Sequence, residues 1–459
     1  MATATGSLSY LLVLSILCFE AWSFTFTSTK LQMATRQIQK RPTTVPRNIQ
    51  VDGQDMQSID TLTQQFPALE EQPLEVDCVN GEFWRWEGKG KIHYVTAGSE
   101  GPPILLLPGF GVGTFHFGGQ LGALAAAGHR VWAFDLLGQG KSWPESDEDE
   151  EGLSFSVEMW TEQVVTFVEE VIGEPVFLVG NSLGGLLAAS AGAARPDLTR
   201  GVCLLNAAPF WAFLPARAKS NALLERALPW DGVLPAPAPY FWVGSRWFDG
   251  LRDRKTIKGL FGFVYSSTDM VDDDLVENIV ASTNRGRGHT AFTSIVFSRK
   301  ATRDFEENLA LLQCPVTLLY GKDDPWITPL WGKKASRALG PRAAYYELSP
   351  AGHCPHHECP RAANAALRAW VQAAAVAQEA TYSVGSSPKE RRAAAAAAGW
   401  ACPGFEAPWP SSSTMGGAPA PAGREEGGSS SGGGGPRLLL LPLFPSSALR
   451  RRRDKAAAQ

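Results

Sequence analysis

The chain has 459 residues, 44% of them hydrophobic, and a net charge of -4, enough length for a sizeable core and none of the basic excess that a nucleic-acid partner demands. A neutral substrate suits this balance, and the uneven composition indicates one large domain plus tails. Seven cysteines (Cys18, Cys78, Cys203, Cys314, Cys354, Cys359 and Cys402) are odd in number and widely scattered, which reads as buried thiols in a reducing compartment rather than a disulfide framework.

The N-terminus carries addresses rather than fold. Residues 11–18 form an apolar segment of signal-peptide length, too short to span a membrane, and Ala21-Trp22-Ser23 places small residues where a signal peptidase reads. Residues 24–51 contain Lys30, Arg36, Lys40, Arg41 and Arg47, many hydroxyl groups and no acid, the composition of a transit peptide. A signal-like segment (1–23) ahead of a basic segment and linker (24–74) resembles the bipartite presequence of plastid proteins in algae with secondary plastids. That implies a plastid location, with the secretory pathway as the alternative.

Residues 83–86 and 91–95 alternate apolar and polar residues around Gly88 and Gly90, predicting a β-hairpin at a sheet edge. Residues 103–108 hold the uninterrupted apolar run Ile104-Leu105-Leu106-Leu107, a strand buried on both faces, and exit into Gly109-Phe110-Gly111-Val112-Gly113. Helical spacing over 119–128 leads to a second buried run, Val131-Trp132-Ala133-Phe134. The acidic stretch 145–151 reads as a solvated loop, and 156–172 as an amphipathic helix. The run Val176-Phe177-Leu178-Val179 then stops at Gly180-Asn181-Ser182-Leu183-Gly184-Gly185 and continues as a small-residue helix, followed by a strand over 201–206. Strand and helix patterns alternate, so the sheet is expected to be mainly parallel with helices on both faces.

From 207 to 310 the text becomes rich in proline and aromatic residues, among them Trp211, Trp230, Tyr240, Trp242, Trp247 and Phe261, and no convincing parallel strand interrupts it. We read an inserted helical lid. The sheet pattern resumes at 315–321, whose exit carries Lys322-Asp323-Asp324-Pro325-Trp326, and again at 343–348, followed by Ser349-Pro350-Ala351-Gly352-His353; residues 360–376 close the domain as a helix. The core thus spans 75–206 and 311–378, and the low-complexity tail 379–459 is expected to be disordered.

A glycine two residues before and two after Ser182 lets a sharp strand-to-helix turn hold a serine at strained backbone angles. Ser182 is therefore the candidate nucleophile, and a serine hydroxyl needs an oriented base. His353 and Asp324 both follow strand exits on the edge where Ser182 is displayed. Asp323 is a rival to Asp324, which is preferred for its place directly before Pro325. The backbone N–H groups of Leu183 and Phe110 are the candidate oxyanion donors. Cys354, His356, His357 and Cys359 invite a metal reading, but no second ligand pair stands out; no metal and no organic cofactor are expected, and His356 and His357 are placed at the surface.

Together Leu107-Pro108-Gly109-Phe110-Gly111, Phe134-Asp135-Leu136-Leu137-Gly138-Gln139-Gly140-Lys141-Ser142, the Ser182 elbow, Gly321-Lys322-Asp323-Asp324-Pro325-Trp326 and Ala351-Gly352-His353-Cys354-Pro355 resemble the α/β-hydrolase superfamily over residues 75 to 378. The chain order Ser, Asp, His is that of this fold. Where many relatives have His-Gly, this chain has Pro108-Gly109, which alters loop support rather than the backbone donor. Within the superfamily, Asp324-Pro325-Trp326, the His353 motif and Val271-Asp272-Asp273-Asp274-Leu275-Val276 resemble the plastid and cyanobacterial group that includes pheophytinase and chlorophyll dephytylase. This resemblance implies a serine esterase that cleaves a hydrophobic ester such as the phytyl ester of a tetrapyrrole, with peripheral contact to the thylakoid membrane. The alternatives are a lipase, thioesterase or carbon-carbon hydrolase with the same triad, or a ligand receptor without turnover.

Overall fold

The computed structural model describes residues 81–384 apart from 213, 228–229, 268–270 and 284–286. These lie in a unit spanning Met1–Phe405; the second unit, Glu406–Gln459, lies outside the described residues, as do the segment expected to be a presequence, Cys18, Cys78, Cys402 and the tail from 385 onward.

Strands β1 (Glu82–Trp86) and β2 (Gly90–Ala97) form the expected antiparallel edge hairpin. β3 (Pro103–Leu107) is buried along its whole length, as its unbroken apolar text requires. The next strand is β4 (Arg130–Phe134), and beyond it come β5 (Val176–Asn181), β6 (Thr199–Leu205), β7 (Val316–Gly321) and β8 (Ala343–Leu348). They build one eight-stranded sheet in the order β1-β2-β4-β3-β5-β6-β7-β8. Every pairing from β4 to β8 is parallel, and only the hairpin side is antiparallel.

Helices cover both faces. α1 (Gly118–Ala126) and the closing helix pack on one apolar cluster with Ile104, Val131, Phe177 and Trp370, while the helices before and after β5 pack on the other with Leu105, Phe134, Trp160 and Leu178. Residues 145–151 depart from the solvated loop read in the sequence. α2 (Asp147–Glu150) is a single turn in which Ser146 and Asp149 cap each other's backbone N–H groups. Asp149 is buried and meets Arg85 of the hairpin, and Arg287 from the insertion pairs with Asp147 and Glu150. Two cations from flanking elements therefore turn an acidic run into a packed corner. α3 (Val157–Phe167) continues through a wider turn at Val168–Ile172 and stops at Gly173, whose φ of 75° is the left-handed value glycine tolerates.

α4 (Leu183–Ala194) follows β5 directly. Between β6 and β7 the chain forms α5 (Ala222–Ala227), α6 (Ala238–Leu251), α7 (Arg254–Val264), α8 (Asp273–Thr283) and α9 (Gly288–Phe297), with α10 (Phe305–Leu311) leading back to the sheet. In this helical insertion α6 and α9 meet closely because Gly244 faces Thr293, where a Cβ would come within 2.2 Å of the hydroxyl oxygen. Trp230, Tyr240 and Phe297 pack mutually beside them, so much of the aromatic text is the insertion's own core. α11 (Pro329–Leu339), α12 (Pro355–Glu358) and α13 (Pro360–Val384) complete the described chain, α13 running past residue 378 to Val384. Among the described residues no helix is long and apolar enough to cross a membrane.

Candidate active site

Ser182 stands between β5 and α4 with φ 54° and ψ -117°, backbone angles that a non-glycine residue holds only when its surroundings impose them. The surroundings are tight. A Cβ on Gly180 would lie 2.1 Å from the Gly184 carbonyl oxygen, and one on Gly184 would lie 2.1 Å from the Leu107 carbonyl oxygen. The Ser182 N–H donates to Leu205 O at 3.0 Å, and Ser182 O accepts from Gly185 N and Ala208 N at 3.0 and 2.9 Å. The elbow is thus hydrogen-bonded to the exit of β6 and packed hard against the exit of β3, with its side chain at the carboxyl edge of the sheet.

Gly109 brings the candidate donor loop alongside: a Cβ there would lie 3.4 Å from the Ser182 Cβ. Phe110 follows, with its neighbour Gly111 donating its N–H to Gln139 Oε1 at 2.6 Å. Leu183 begins α4, where backbone N–H groups lack partners within the helix. The loop of Phe110 and the first turn of α4, which hold the candidate oxyanion donors, therefore adjoin the serine.

Asp324, rather than Asp323, is the carboxylate that meets the histidine. Asp324 Oδ2 lies 2.7 Å from His353 Nδ1, and both side chains are buried. Oδ2 also accepts from Asn206 Nδ2 at 2.7 Å, while Oδ1 accepts the N–H groups of Trp326 and Ile327 at 2.7 and 3.0 Å. A buried carboxylate so fully supplied with donors has its orientation fixed. Asn181, the residue before Ser182, donates through Nδ2 to the His353 carbonyl at 3.0 Å and to Leu205 O at 3.1 Å. Elbow and histidine loop are joined by this one side chain. Trp326 tilts against the His353 ring at 5.6 Å, and Phe110 against Trp211 at 4.9 Å.

Asn181, Asn206 and Gln139 were not anticipated from the sequence. Each is a polar residue at the end of a buried strand or in the turn that follows, a position where backbone groups lose their ladder partners; that is the signal that could have found them.

His356 and His357 are not at the surface. His356 is fully buried, with His116 and Tyr265, and His357 beside them is half-buried. His116 Nε2 lies 2.8 Å from Tyr265 Oη, and His356 Nε2 lies 3.3 Å from His116 Nδ1. Burial, followed by the neighbouring imidazoles, pushes His116 and His356 well below the ordinary histidine range; burial also lowers His357. Tyr265 of the insertion covers His357, and His116 and Phe117 cover His356, neighbours that the local text could not reveal. Among the described residues no group of three or more His, Cys, Asp or Glu side chains is arranged to hold a metal. Cys203 and Cys354 are buried free thiols, Cys314 is buried as well, and Cys359 is half-buried.

Residues 104–367 match the model of a family described as the alpha/beta hydrolase family. The chain is 39% identical over 320 residues to a chloroplastic pheophytinase of Arabidopsis thaliana, covering 62% of this chain and 65% of that protein's length. It is 29% identical over 270 residues to the (lyso)-N-acylphosphatidylethanolamine lipase of Homo sapiens, covering 54% of this chain and 72% of that protein. A shorter likeness, 34% over 147 residues, is to bifunctional epoxide hydrolase 2 of Rattus norvegicus, covering 31% of this chain and 25% of that protein.

Proposed function

The chain belongs to the alpha/beta hydrolase family, and on that premise we propose that it is a serine hydrolase cleaving a hydrophobic carboxylic ester through an acyl-enzyme. The observation that carries this reading is the 2.7 Å bond between Asp324 and His353, on a loop that Asn181 ties to the elbow of Ser182. Ser182 Oγ attacks the ester carbonyl while His353 Nε2 takes its proton, and Asp324 holds His353 Nδ1–H and offsets the imidazolium charge. The oxyanion rests on the N–H groups of Phe110 and Leu183. The alcohol leaves with the proton from His353, and water attacks the acyl-enzyme with His353 as base, releasing the acid and restoring Ser182. No metal or organic cofactor takes part in these steps.

The phytyl ester of chlorophyll or pheophytin is the proposed substrate, supported by the 39% identity to a protein named pheophytinase. Burying an apolar chain gains roughly 0.8 kcal/mol per methylene, so a twenty-carbon alcohol offers on the order of 10 kcal/mol before ordering costs. The aromatic-rich lid at 207–310 is the proposed collector of that energy, on a core of 75–206 and 311–378. A plastid location, addressed by 1–74, and peripheral contact with the thylakoid membrane belong to the same reading. The likeness to an acylphosphatidylethanolamine lipase favours a lipid ester as the second reading.

Ser182→Ala lowers hydrolysis of a short aryl ester by about three orders of magnitude or more; turnover surviving in a clean preparation removes the serine assignment. Incubation with chlorophyll, pheophytin and generic lipid esters, scored by released alcohol, separates the two substrate readings. Release of phytol supports dephytylation, and cleavage of the lipid esters alone rules it out.

A further inference from the structure

The exit of α7, in the insertion, is sewn to the loop that carries His353. His353 N–H donates to Val264 O at 3.0 Å, and Gly352 sits so close that a Cβ there would lie 2.4 Å from the same oxygen. Tyr265 Oη, next along, lies 2.8 Å from His116 Nε2 and 3.3 Å from His357 Nδ1. Ser266 donates both its N–H and its hydroxyl to Glu358 Oε2, each at 2.7 Å. The same Glu358 carboxylate accepts the N–H of Gly352 at 2.9 Å and of Cys354 at 3.2 Å, the residues on either side of His353. Val112, Ile257, Val264, Tyr265, Leu275 and Cys354 seal the seam with an apolar cluster.

We infer that Glu358 is a positioning residue for His353, and that the insertion, through Ser266 and Tyr265, is the other half of the clamp that sets the register of the base. This rests on the serine-hydrolase reading above. One carboxylate binds both neighbours of His353 and a residue of the insertion with charge-assisted hydrogen bonds, so the base reaches its working position only when the insertion is seated. Glu358 touches no reacting atom. It acts by keeping a loop from drifting, and a displacement of about 1 Å at a catalytic group costs up to about a hundredfold in rate.

The test uses the full chain carrying Ser266→Ala, Glu358→Gln or both, with a p-nitrophenyl ester of a short acid and a fluorophosphonate that labels activated serines. Glu358→Gln lowers kcat about tenfold to a hundredfold while KM stays within about twofold, because the ester is too small to use remote binding. Ser266→Ala lowers kcat less, labelling rates fall in parallel with kcat, and the double variant is no worse than Glu358→Gln, since the Ser266 hydroxyl acts through the Glu358 carboxylate that the other change already disrupts. Unchanged kcat in the single variants, a loss confined to KM, or losses that multiply in the double variant each overturn the clamp. Should Glu358→Gln fail to fold, Ser266→Ala decides alone, as it deletes a single hydroxyl. Turnover retained by Ser182→Ala overturns the serine reading itself. Loss of turnover in Ser182→Ala together with wild-type kcat in the clamp variants overturns the clamp only.

Discussion

Asp324 is held by four donors: His353 Nδ1, Asn206 Nδ2 and two backbone N–H groups. Asp324→Asn keeps the shape and presents the wrong partner to the imidazole, so kcat on a short ester falls roughly ten-thousandfold, whereas Asp323→Asn leaves kcat within about twofold of wild type. Equal losses in steady-state assays of the two variants would break that distinction. Asn206 adopts φ 41°, a left-handed conformation that asparagine accepts more readily than alanine. Asn206→Ala therefore strains the strand exit and removes a donor from a buried carboxylate, lowering stability by about 1–3 kcal/mol in denaturant unfolding. At this scale the sequence pointed to Ser182, Asp324 and His353 as the candidate groups, because their spacing is written in glycines and strand exits. It was silent on Asn181 and Asn206, whose importance lies in which distant atoms they reach.

Among elements, the seam where Thr114–Phe117, α12 and the exit of α7 converge carries His116, His356 and His357 in their neutral form. The groups facing them are Tyr265, Cys354, Glu358, Asp272 and the imidazole of His353. Their folded pKa values are depressed, so below the ordinary histidine value near 6.5 the unfolded chain binds more protons than the folded one. Stability is full above that pH and declines as pH falls through it, by up to about 1.4 kcal/mol per pH unit for each histidine. Thermal unfolding between pH 7.5 and 5.5 measures the slope, and His356→Gln flattens part of it; a transition unmoved across that range contradicts the buried neutral cluster. The sequence could not show this seam, because the helix bearing His356 and His357 is short and its cover comes from residues 92 and 240 positions away.

For the whole molecule, the mainly parallel sheet, the helices on both faces and the helical insertion between β6 and β7 follow the pattern legible in the chain, whereas the order of the strands in the sheet came only with the structure. If the insertion gathers the alcohol chain of the substrate, kcat/KM rises with each added methylene of that alcohol by up to about fourfold until the site is filled. A series of straight-chain alcohol esters of one acid measures this, and a flat response from short to long chains removes the lid from substrate recognition. By itself the sequence determined the α/β pattern, the Ser182 elbow and the strand exits carrying Asp324 and His353, because periodicity and glycine spacing are local properties that survive without a fold. Only the tertiary structure decided which of two adjacent aspartates meets the imidazole. It also buried His116 and His356, gave the acidic run its arginine partners and tied the insertion to the loop that carries His353. Each of these depends on where a remote side chain arrives, which chain order does not encode until the sheet and insertion have packed.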